Sequence, residues 1–146
     1  MPRRCTRYLL DDTLFIAAVK KGWTKSTELV YNLLDSQVEL FANKLLIFEY
    51  EKYASALQTY ELLDHLKKTV ILVNPSQEEV DVCAPFFPEN ELSDTVHAAT
   101  CLSVGAILIT NDNHFNKIKE ARLIEVWSMT KAIKRLLGED KDYEDN

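Results

Sequence analysis

The sequence predicts an α/β fold, a three-layer α/β/α sandwich around a central parallel sheet of four to five strands. Short, unbroken apolar runs alternate with amphipathic helical stretches, and this alternation favours right-handed βαβ units. The apolar runs lack polar alternation, which is typical of strands covered by helices on both faces. With 146 residues, 47% of them apolar, the chain can bury the core of one compact domain.

The candidate strands are the short apolar runs. Gly105 stands just before the fourth run, where a helix has to end and the chain has to turn. The segment 85–88 (Pro-Phe-Phe-Pro) predicts a packed turn or loop instead. In chain order, the predicted strands are residues 8–10, 38–41, 69–73, 106–109 and 123–127.

The amphipathic stretches between these runs are the candidate helices. The first has its start at residues 26–28, and the last has Thr130 as its predicted N-cap and Gly138 just past its end. Each stretch repeats apolar residues at helical spacing. The stripes are Leu29, Val30, Leu33 and Leu34, then Leu46, Tyr50, Tyr53 and Leu57, and finally Ala132, Ile133, Leu136 and Leu137.

The composition excludes several classes of protein. Few glycines and prolines, together with 10% aromatic residues, argue against a fibrous or disordered chain. Cys5, Cys83 and Cys101 form no Cys-x-x-Cys pair, so neither a disulfide framework nor a zinc ribbon is indicated. No apolar run approaches the roughly 18 residues of a membrane-spanning helix, and no signal-peptide pattern is present. We therefore expect a cytoplasmic protein without a membrane partner.

The net charge of −6 is unevenly distributed. Residues 139–146 contain five acids and one lysine, a net charge of −4, and predict an acidic, disordered tail. Residues 1–138, the predicted single domain, carry 18 acids and 16 bases. The position of the remaining acids therefore matters more than the total charge.

Two aspartates follow predicted strands. Asp11 comes directly after the first run, and Asp112 comes shortly after the fourth. Ligands of open α/β sheets bind beyond the carboxyl ends of the strands, so the two carboxylates share one crevice if those strands are neighbours. Acids at such places are also ordinary N-caps or Asx-turns, and this alternative stays open for each residue alone.

Two further acids fall on helices. Asp94 follows Ser93 at a helix start, where the helix dipole alone would favour it, but its spacing from Ala98 and Cys101 turns it toward the sheet. Glu49 lies on an apolar arc, where a carboxylate is costly unless it is paired, protonated or metal-bound. The alternatives for Glu49 are an edge position that reaches water, or an ion pair with Lys52, Lys44 or an arginine. The arc is bounded by Leu45, Leu46, Tyr53, Ala56, Leu57 and Tyr60.

Four acids in one crevice would repel each other unless a cation lay between them. Mg²⁺ and Mn²⁺ are hard cations that prefer oxygen ligands. One or two such ions can activate a water molecule and stabilise the charged transition state of phosphodiester cleavage. The carboxylates therefore predict a divalent-metal site with hydrolytic chemistry.

Four segments in order, residues 8–16, 46–50, 92–100 and 108–115, resemble the PIN-domain family of metal-dependent ribonucleases. The small VapC-type toxins of prokaryotic type II toxin–antitoxin systems are especially similar, over about residues 8 to 137. The resemblance implies a PIN-like parallel sheet between helices and Mg²⁺- or Mn²⁺-dependent endoribonuclease activity. It places the catalytic, metal-binding acids at Asp11, Glu49, Asp94 and Asp112.

The resemblance also assigns supporting roles. Thr13 and Thr110 occupy positions whose hydroxyls orient the carboxylates. Asp12 departs from the family pattern, because a hydroxyl residue is usual there. It could support the ligands, cap the following helix or compete for the metal. RNA as substrate, a homodimer and a cognate antitoxin are the partners that the resemblance implies.

Basic residues supply candidate RNA contacts. Lys20, Lys21 and Lys25 surround Trp23, which could stack on a base, and Lys52 lies one turn after Glu49. The alternative is a solvated helix end with an exposed or packed tryptophan. Two histidines lie close to the acids in sequence. We expect His97 to be a packed helix residue that could touch the site, and His114 to be a loop residue that could contact a phosphate.

Two other functions compete with the nuclease hypothesis. A receiver-like phospho-acceptor module also has an acidic pair after its first strand and a hydroxyl after its fourth. It needs an aspartate after the third strand, however, where this sequence has Asn74 and Pro75, and it leaves Glu49 unexplained. The second alternative is a non-cleaving PIN-like module that binds RNA or protein.

Overall fold

Five parallel strands form the centre of the computed structural model, which describes residues 6–138. Helices flank this sheet, so the predicted α/β class with an all-parallel sheet is confirmed. The order of the strands across the sheet is β3-β2-β1-β4-β5. The strands are β1 (Arg7–Leu10), β2 (Glu39–Ala42), β3 (Ile71–Leu72), β4 (Ile107–Ile109) and β5 (Val126–Trp127).

Eight α-helices connect and follow the strands of the described chain. Short 3₁₀ turns at Ala84–Phe86 and Asn113–Phe115 lie within the β3–β4 and β4–β5 connections. The helices are α1 (Asp12–Val19), α2 (Lys25–Asp35), α3 (Lys44–Leu57), α4 (Glu61–Thr69), α5 (Gln77–Cys83), α6 (Leu92–Val104), α7 (Asn116–Glu120) and α8 (Met129–Leu136).

The core ties α3 to the carboxyl end of β1. Tyr50 of α3 is buried, and its hydroxyl donates a hydrogen bond to the carbonyl of Leu10, the last residue of β1. Its ring stacks on Phe15 of α1, with 5.6 Å between the ring centroids. Because Asp11 follows Leu10, these contacts fix the backbone from which the first candidate ligand extends.

The sheet order excludes the receiver-like alternative. Receiver modules have the doubly wound order 2-1-3-4-5, with the third strand beside the first. Here β4 lies beside β1, and β3 lies at the edge next to β2. The strand order reverses between β1 and β4, where open α/β sheets bind ligands.

Several predicted boundaries are wrong. The predicted strand 69–73 shrinks to Ile71–Leu72 because α4 continues to Thr69. The predicted strand 123–127 shrinks to Val126–Trp127, after Arg122 adopts a positive φ of 59° in the preceding turn. The segment 85–88, in contrast, is a turn as predicted, since it continues the 3₁₀ turn Ala84–Phe86 into irregular chain.

The helix starts also differ from prediction. The α2 helix begins at Lys25, because Thr24 is its N-cap and forms a capping box with Thr27. The N-cap of α8 is Ser128 rather than Thr130, since the Ser128 hydroxyl accepts from the Lys131 N–H. Gly105 and Gly138 end α6 and α8 with positive φ, as predicted.

Parts of the sequence-based predictions lie outside the described residues. These are Cys5 and the predicted tail, residues 139–146. Within residues 6–138, no helix combines the length and apolarity that crossing a membrane would require.

Candidate metal centre

A cavity of about 330 Å³ opens at the carboxyl ends of β1 and β4. Five carboxylates from different parts of the chain line it: Asp12 of α1, Glu49 of α3, Glu91 just before α6, Asp94 of α6 and Asp112 after β4. Asp11 is not among the described residues that line it. The full lining is Asp12, Thr13, Ile16, Glu49, Lys52, Tyr53, Glu91, Ser93, Asp94, Asp112 and His114.

Asp11 is held by two hydroxyls. Its side chain is only 2% exposed, and Oδ2 accepts hydrogen bonds from Thr13 Oγ1 (3.0 Å) and Thr110 Oγ1 (2.7 Å). Each hydroxyl in turn accepts a backbone N–H from the segment after β4, that of Asn111 (3.0 Å) or Asp112 (2.9 Å). The accepted bonds leave each hydroxyl hydrogen available for Asp11, so the carboxylate orientation is fixed.

Asp12 lies in the cavity with the other acids. It is the first residue of α1 rather than its N-cap, so the structure does not assign it the capping role. Burial raises the pKa of Asp12 to about 7, with the charges of Asp11 and Glu49 adding to the effect. A carboxyl group with this pKa has a high cost of ionisation without a nearby cation.

Glu49 is paired with a histidine. Its side chain is 20% exposed, and its Oε1 lies 2.9 Å from Nε2 of His97. Burial raises the pKa of Glu49, but the hydrogen bond and charge of His97 lower it by more, so the net shift is downward. Among the described residues, His97 takes the place of Lys44, Lys52 or an arginine, the partners in the alternative ion pair.

The predicted apolar arc around Glu49 is partly wrong. Leu45 and Leu57 are 40% and 43% exposed, and Tyr60 lies beyond the end of α3. The buried face of α3 is instead formed by Leu46, Tyr50 and Ala54. Glu49 is therefore at the edge of the packed face, where its carboxylate reaches the cavity.

His97 is fully buried in α6, which confirms its prediction as a packed residue, and it also contacts the site. Its Nδ1 lies 3.0 Å from the side-chain nitrogen of Asn43, the N-cap of α3. Burial lowers the pKa of His97, but the hydrogen bond and charge of Glu49 outweigh it and the net shift is upward. Sequence reasoning missed Asn43, although an asparagine before a helical stripe is a recognisable cap signal.

Asp94 and Asp112 meet at His114. Its Nδ1 lies 3.1 Å from Asp94 Oδ2, 3.2 Å from Asp112 Oδ1 and 3.7 Å from Glu91 Oε1. Burial raises the pKa of Asp94 to about 6 despite the hydrogen bond from His114. His114 is in a 3₁₀ turn, not a plain loop, and faces acids. Glu91 was missed, because nothing in its local sequence separates it from a surface acid.

The donor set fits a hard divalent cation. Ligand atoms of Asp11, Glu49 and His97 lie within 4.8 Å of one another, as do those of Glu91, Asp94 and His114. Carboxylate oxygens predominate in both groups, and hard cations prefer such ligands. Burial, together with neighbouring carboxylates, raises the pKa values of Asp12 and Asp94, and a nearby cation would favour their ionised forms.

Of the candidate RNA-contact lysines, the described cavity lining includes Lys52 alone. Lys20 and Lys21 are exposed after the end of α1, roughly 12 Å along the helix from the acids. Lys25 forms an ion pair with Glu28 at 3.3 Å. Trp23 is 68% exposed and stacks on Tyr31, with 5.4 Å between the ring centroids.

Comparison with known proteins supports the fold. No protein-family model matches the chain, and no curated protein sequence matches it significantly. Among solved structures, a chain in the 2.2 Å structure of VapBC-1 from nontypeable Haemophilus influenzae is similar, with a TM-score of 0.60 and 20% sequence identity. The match covers 86% of this chain and 100% of that chain. The chain therefore shares the fold of a VapBC-1 chain, and its all-parallel sheet flanked by helices is consistent with the PIN-like fold that its sequence motifs predict.

Proposed function

We propose that the chain is a Mg²⁺- or Mn²⁺-dependent endoribonuclease that hydrolyses RNA phosphodiester bonds, and that it is the toxin of a type II toxin–antitoxin pair. The observation that carries this proposal is the convergence of five carboxylates, three of them proposed ligands, on one cavity at the β1–β4 switch point. Similarity to a VapBC-1 chain supports the same conclusion at the level of the fold.

Asp11, Glu49, Asp94 and Asp112 are the proposed metal ligands and catalytic residues, and Asp12 lines the cavity together with the last three of them. A bound divalent cation supplies an activated water and positive charge for the phosphodiester transition state. Thr13 and Thr110 hold Asp11 in one orientation through Oδ2. Lys52 lies in the same cavity, where its ammonium group can bind an RNA phosphate. For Lys20, Lys21 and Lys25, we propose contacts with RNA phosphates farther from the cavity.

A protein partner is also proposed. Phe48 and Leu92 are 65% and 60% exposed, and each is adjacent in the chain to a residue that lines the cavity. Apolar side chains beside an acidic cavity favour a covering protein such as an antitoxin. A homodimer is the second proposed assembly, and light scattering of the isolated chain tests it.

The test combines RNA cleavage with thermal unfolding. Total cellular RNA is incubated with the protein in Mn²⁺, in Mg²⁺ or in EDTA, and cut ends are mapped. We expect cleavage with either metal, none in EDTA, and none from Asp94→Asn or Asp112→Asn, whereas Glu120→Gln on the exposed face of α7 should cleave normally. Metal at a hundredfold excess over Kd adds about 2.7 kcal/mol to the stability of the wild type.

That stabilisation should raise the melting temperature by roughly 5–10 °C. The absence of both a thermal shift and metal-dependent cleavage in the wild type would contradict the proposal. RNA binding with a thermal shift but no cut ends would favour the non-cleaving alternative.

A further inference from the structure

A chain of hydrogen bonds connects the start of α3 to the Glu49 carboxylate through His97. The Leu46 N–H donates to Asn43 Oδ1 at 2.8 Å. The Asn43 side-chain nitrogen lies 3.0 Å from His97 Nδ1, and His97 Nε2 lies 2.9 Å from Glu49 Oε1. His97 is fully buried, so neither ring nitrogen has bulk water as an alternative partner.

The direction of this chain follows from the helix cap. Because the Leu46 N–H needs an acceptor, the Asn43 amide oxygen points to it and the amide nitrogen points to His97. The second N–H of that amide donates to Thr100 Oγ1 at 2.9 Å, and the Thr100 hydroxyl donates to the Val96 carbonyl at 2.8 Å. His97 Nδ1 is therefore the acceptor in the pair with Asn43.

It follows that His97 Nε2 carries the hydrogen and donates it to Glu49. Nε2 would also carry a hydrogen in the imidazolium, so donation at this position does not depend on the charge of His97. A nitrogen that carries a hydrogen has no lone pair for a metal. Although His97 is close to Asp11 and Glu49, it is thus a donor to the carboxylate and not a ligand.

We propose that His97 is a positioning residue that holds Glu49 for metal binding, an inference that rests on the proposed function. The imidazole donates to Oε1, and so restricts the orientation in which the carboxylate faces the cavity. His97 and Asp94 are both on α6. Asn43 is the N-cap of α3, and Glu49 lies within that helix. The histidine therefore also sets the spacing between the two helices that present Glu49 and Asp94.

The experiment measures Mn²⁺ affinity by calorimetry for wild type, His97→Leu and His97→Gln. Loss of a group that orients a metal ligand typically weakens metal binding by roughly 10–100-fold, and we expect such a loss for His97→Leu. Glutamine can place an N–H donor near the Nε2 position, so His97→Gln should recover most of the affinity. Val30→Ala, a cavity-forming change in α2, controls for lost stability and should bind Mn²⁺ as wild type does.

A metal-free measurement accompanies the titration. ¹⁵N NMR of the neutral His97 ring in EDTA should show a protonated Nε2 and an unprotonated Nδ1. A protonated Nδ1 with bare Nε2, or wild-type Mn²⁺ affinity in His97→Leu, would overturn the positioning role and leave the proposed function intact. Equal losses of Mn²⁺ affinity in the leucine and glutamine variants would show that His97 contributes only packing, and would contradict the positioning role. A wild type that neither binds Mn²⁺ nor cleaves RNA would instead contradict the proposed function, and the positioning role with it.

Discussion

Thr110 Oγ1 lies 2.7 Å from Asp11 Oδ2, so a hydroxyl at the end of β4 orients the carboxylate that follows β1. The same hydroxyl accepts the backbone N–H of Asp112 at 2.9 Å. One threonine thus connects two of the proposed metal ligands across the strand junction. The contact exists because β1 and β4, about a hundred residues apart in sequence, are neighbours in the sheet.

Replacing Thr110 by valine should destabilise the protein by about 1–3 kcal/mol. Valine keeps the shape of the side chain but removes the donor to Asp11 and the acceptor for the Asp112 N–H, and Thr110 is only 4% exposed. Urea unfolding in EDTA measures the change. Thr110→Ser, which keeps the hydroxyl, is the matched control and should cost less than the valine variant. Equal stability of the valine variant and wild type would show that the hydroxyl contributes nothing to the fold.

Metal-free stability should depend on pH through Asp12. Its pKa rises from 3.8 to about 7 on folding, so between pH 4 and pH 7 the unfolded chain releases a proton that the folded chain retains. Stability therefore falls as pH rises through this window. Asp12→Asn lacks the titrating group, so its stability relative to wild type should increase by roughly 3–4 kcal/mol from pH 4 to pH 8.

Urea unfolding in EDTA at pH 4, 5, 6, 7 and 8 tests this dependence. The exposed Glu120→Gln variant serves as the control for a lost surface acid and should show a nearly constant difference from wild type. A constant difference for Asp12→Asn as well would mean that Asp12 ionises normally in the folded protein.

Lys52→Ala should weaken RNA binding more than the loss of a remote lysine does. Lys52 lines the cavity, and one lost phosphate contact reduces the slope of log affinity against log salt by about 1. Cleavage rates at several RNA and salt concentrations give KM and kcat, and we expect KM to rise while kcat changes little. Lys68→Ala, on exposed α4, provides the comparison. Identical effects of the two changes would indicate a general charge effect without a contact at Lys52.

The candidate site was partly predictable because its acids obey local rules. Asp11 and Asp112 follow apolar runs, and Asp94 begins a helix, so each could be found without knowing the fold. Glu49 was found through an arc that is wrong in detail, since Leu45 and Leu57 are exposed. Helical periodicity gives the direction of a face but not its width, which depends on what packs against it.

The partners of those acids could not be predicted in the same way. His97 reaches Glu49 across 48 residues, and Asn43 reaches His97 across 54. Hydrogen bonds of this kind depend on how α3 and α6 pack. The apolar periodicity of the two helices does not show which of their residues contact each other. Asp12 is a further example, because its raised pKa results first from burial and then from acids that include Glu49 and Asp94, which are distant in sequence.

The sequence by itself determined the α/β class, the parallel strands and the residues after which the chain presents carboxylates, because these follow from short-range apolar patterns and turn chemistry. The tertiary structure decided the strand order, which excludes the receiver-like alternative and brings Asp11 beside Asp112. It also decided which groups form hydrogen bonds with the acids. Thr110 contacts Asp11, His97 contacts Glu49 and His114 contacts Asp94. These choices depend on long-range packing, since a hydrogen bond between distant segments forms only once the sheet has set their positions.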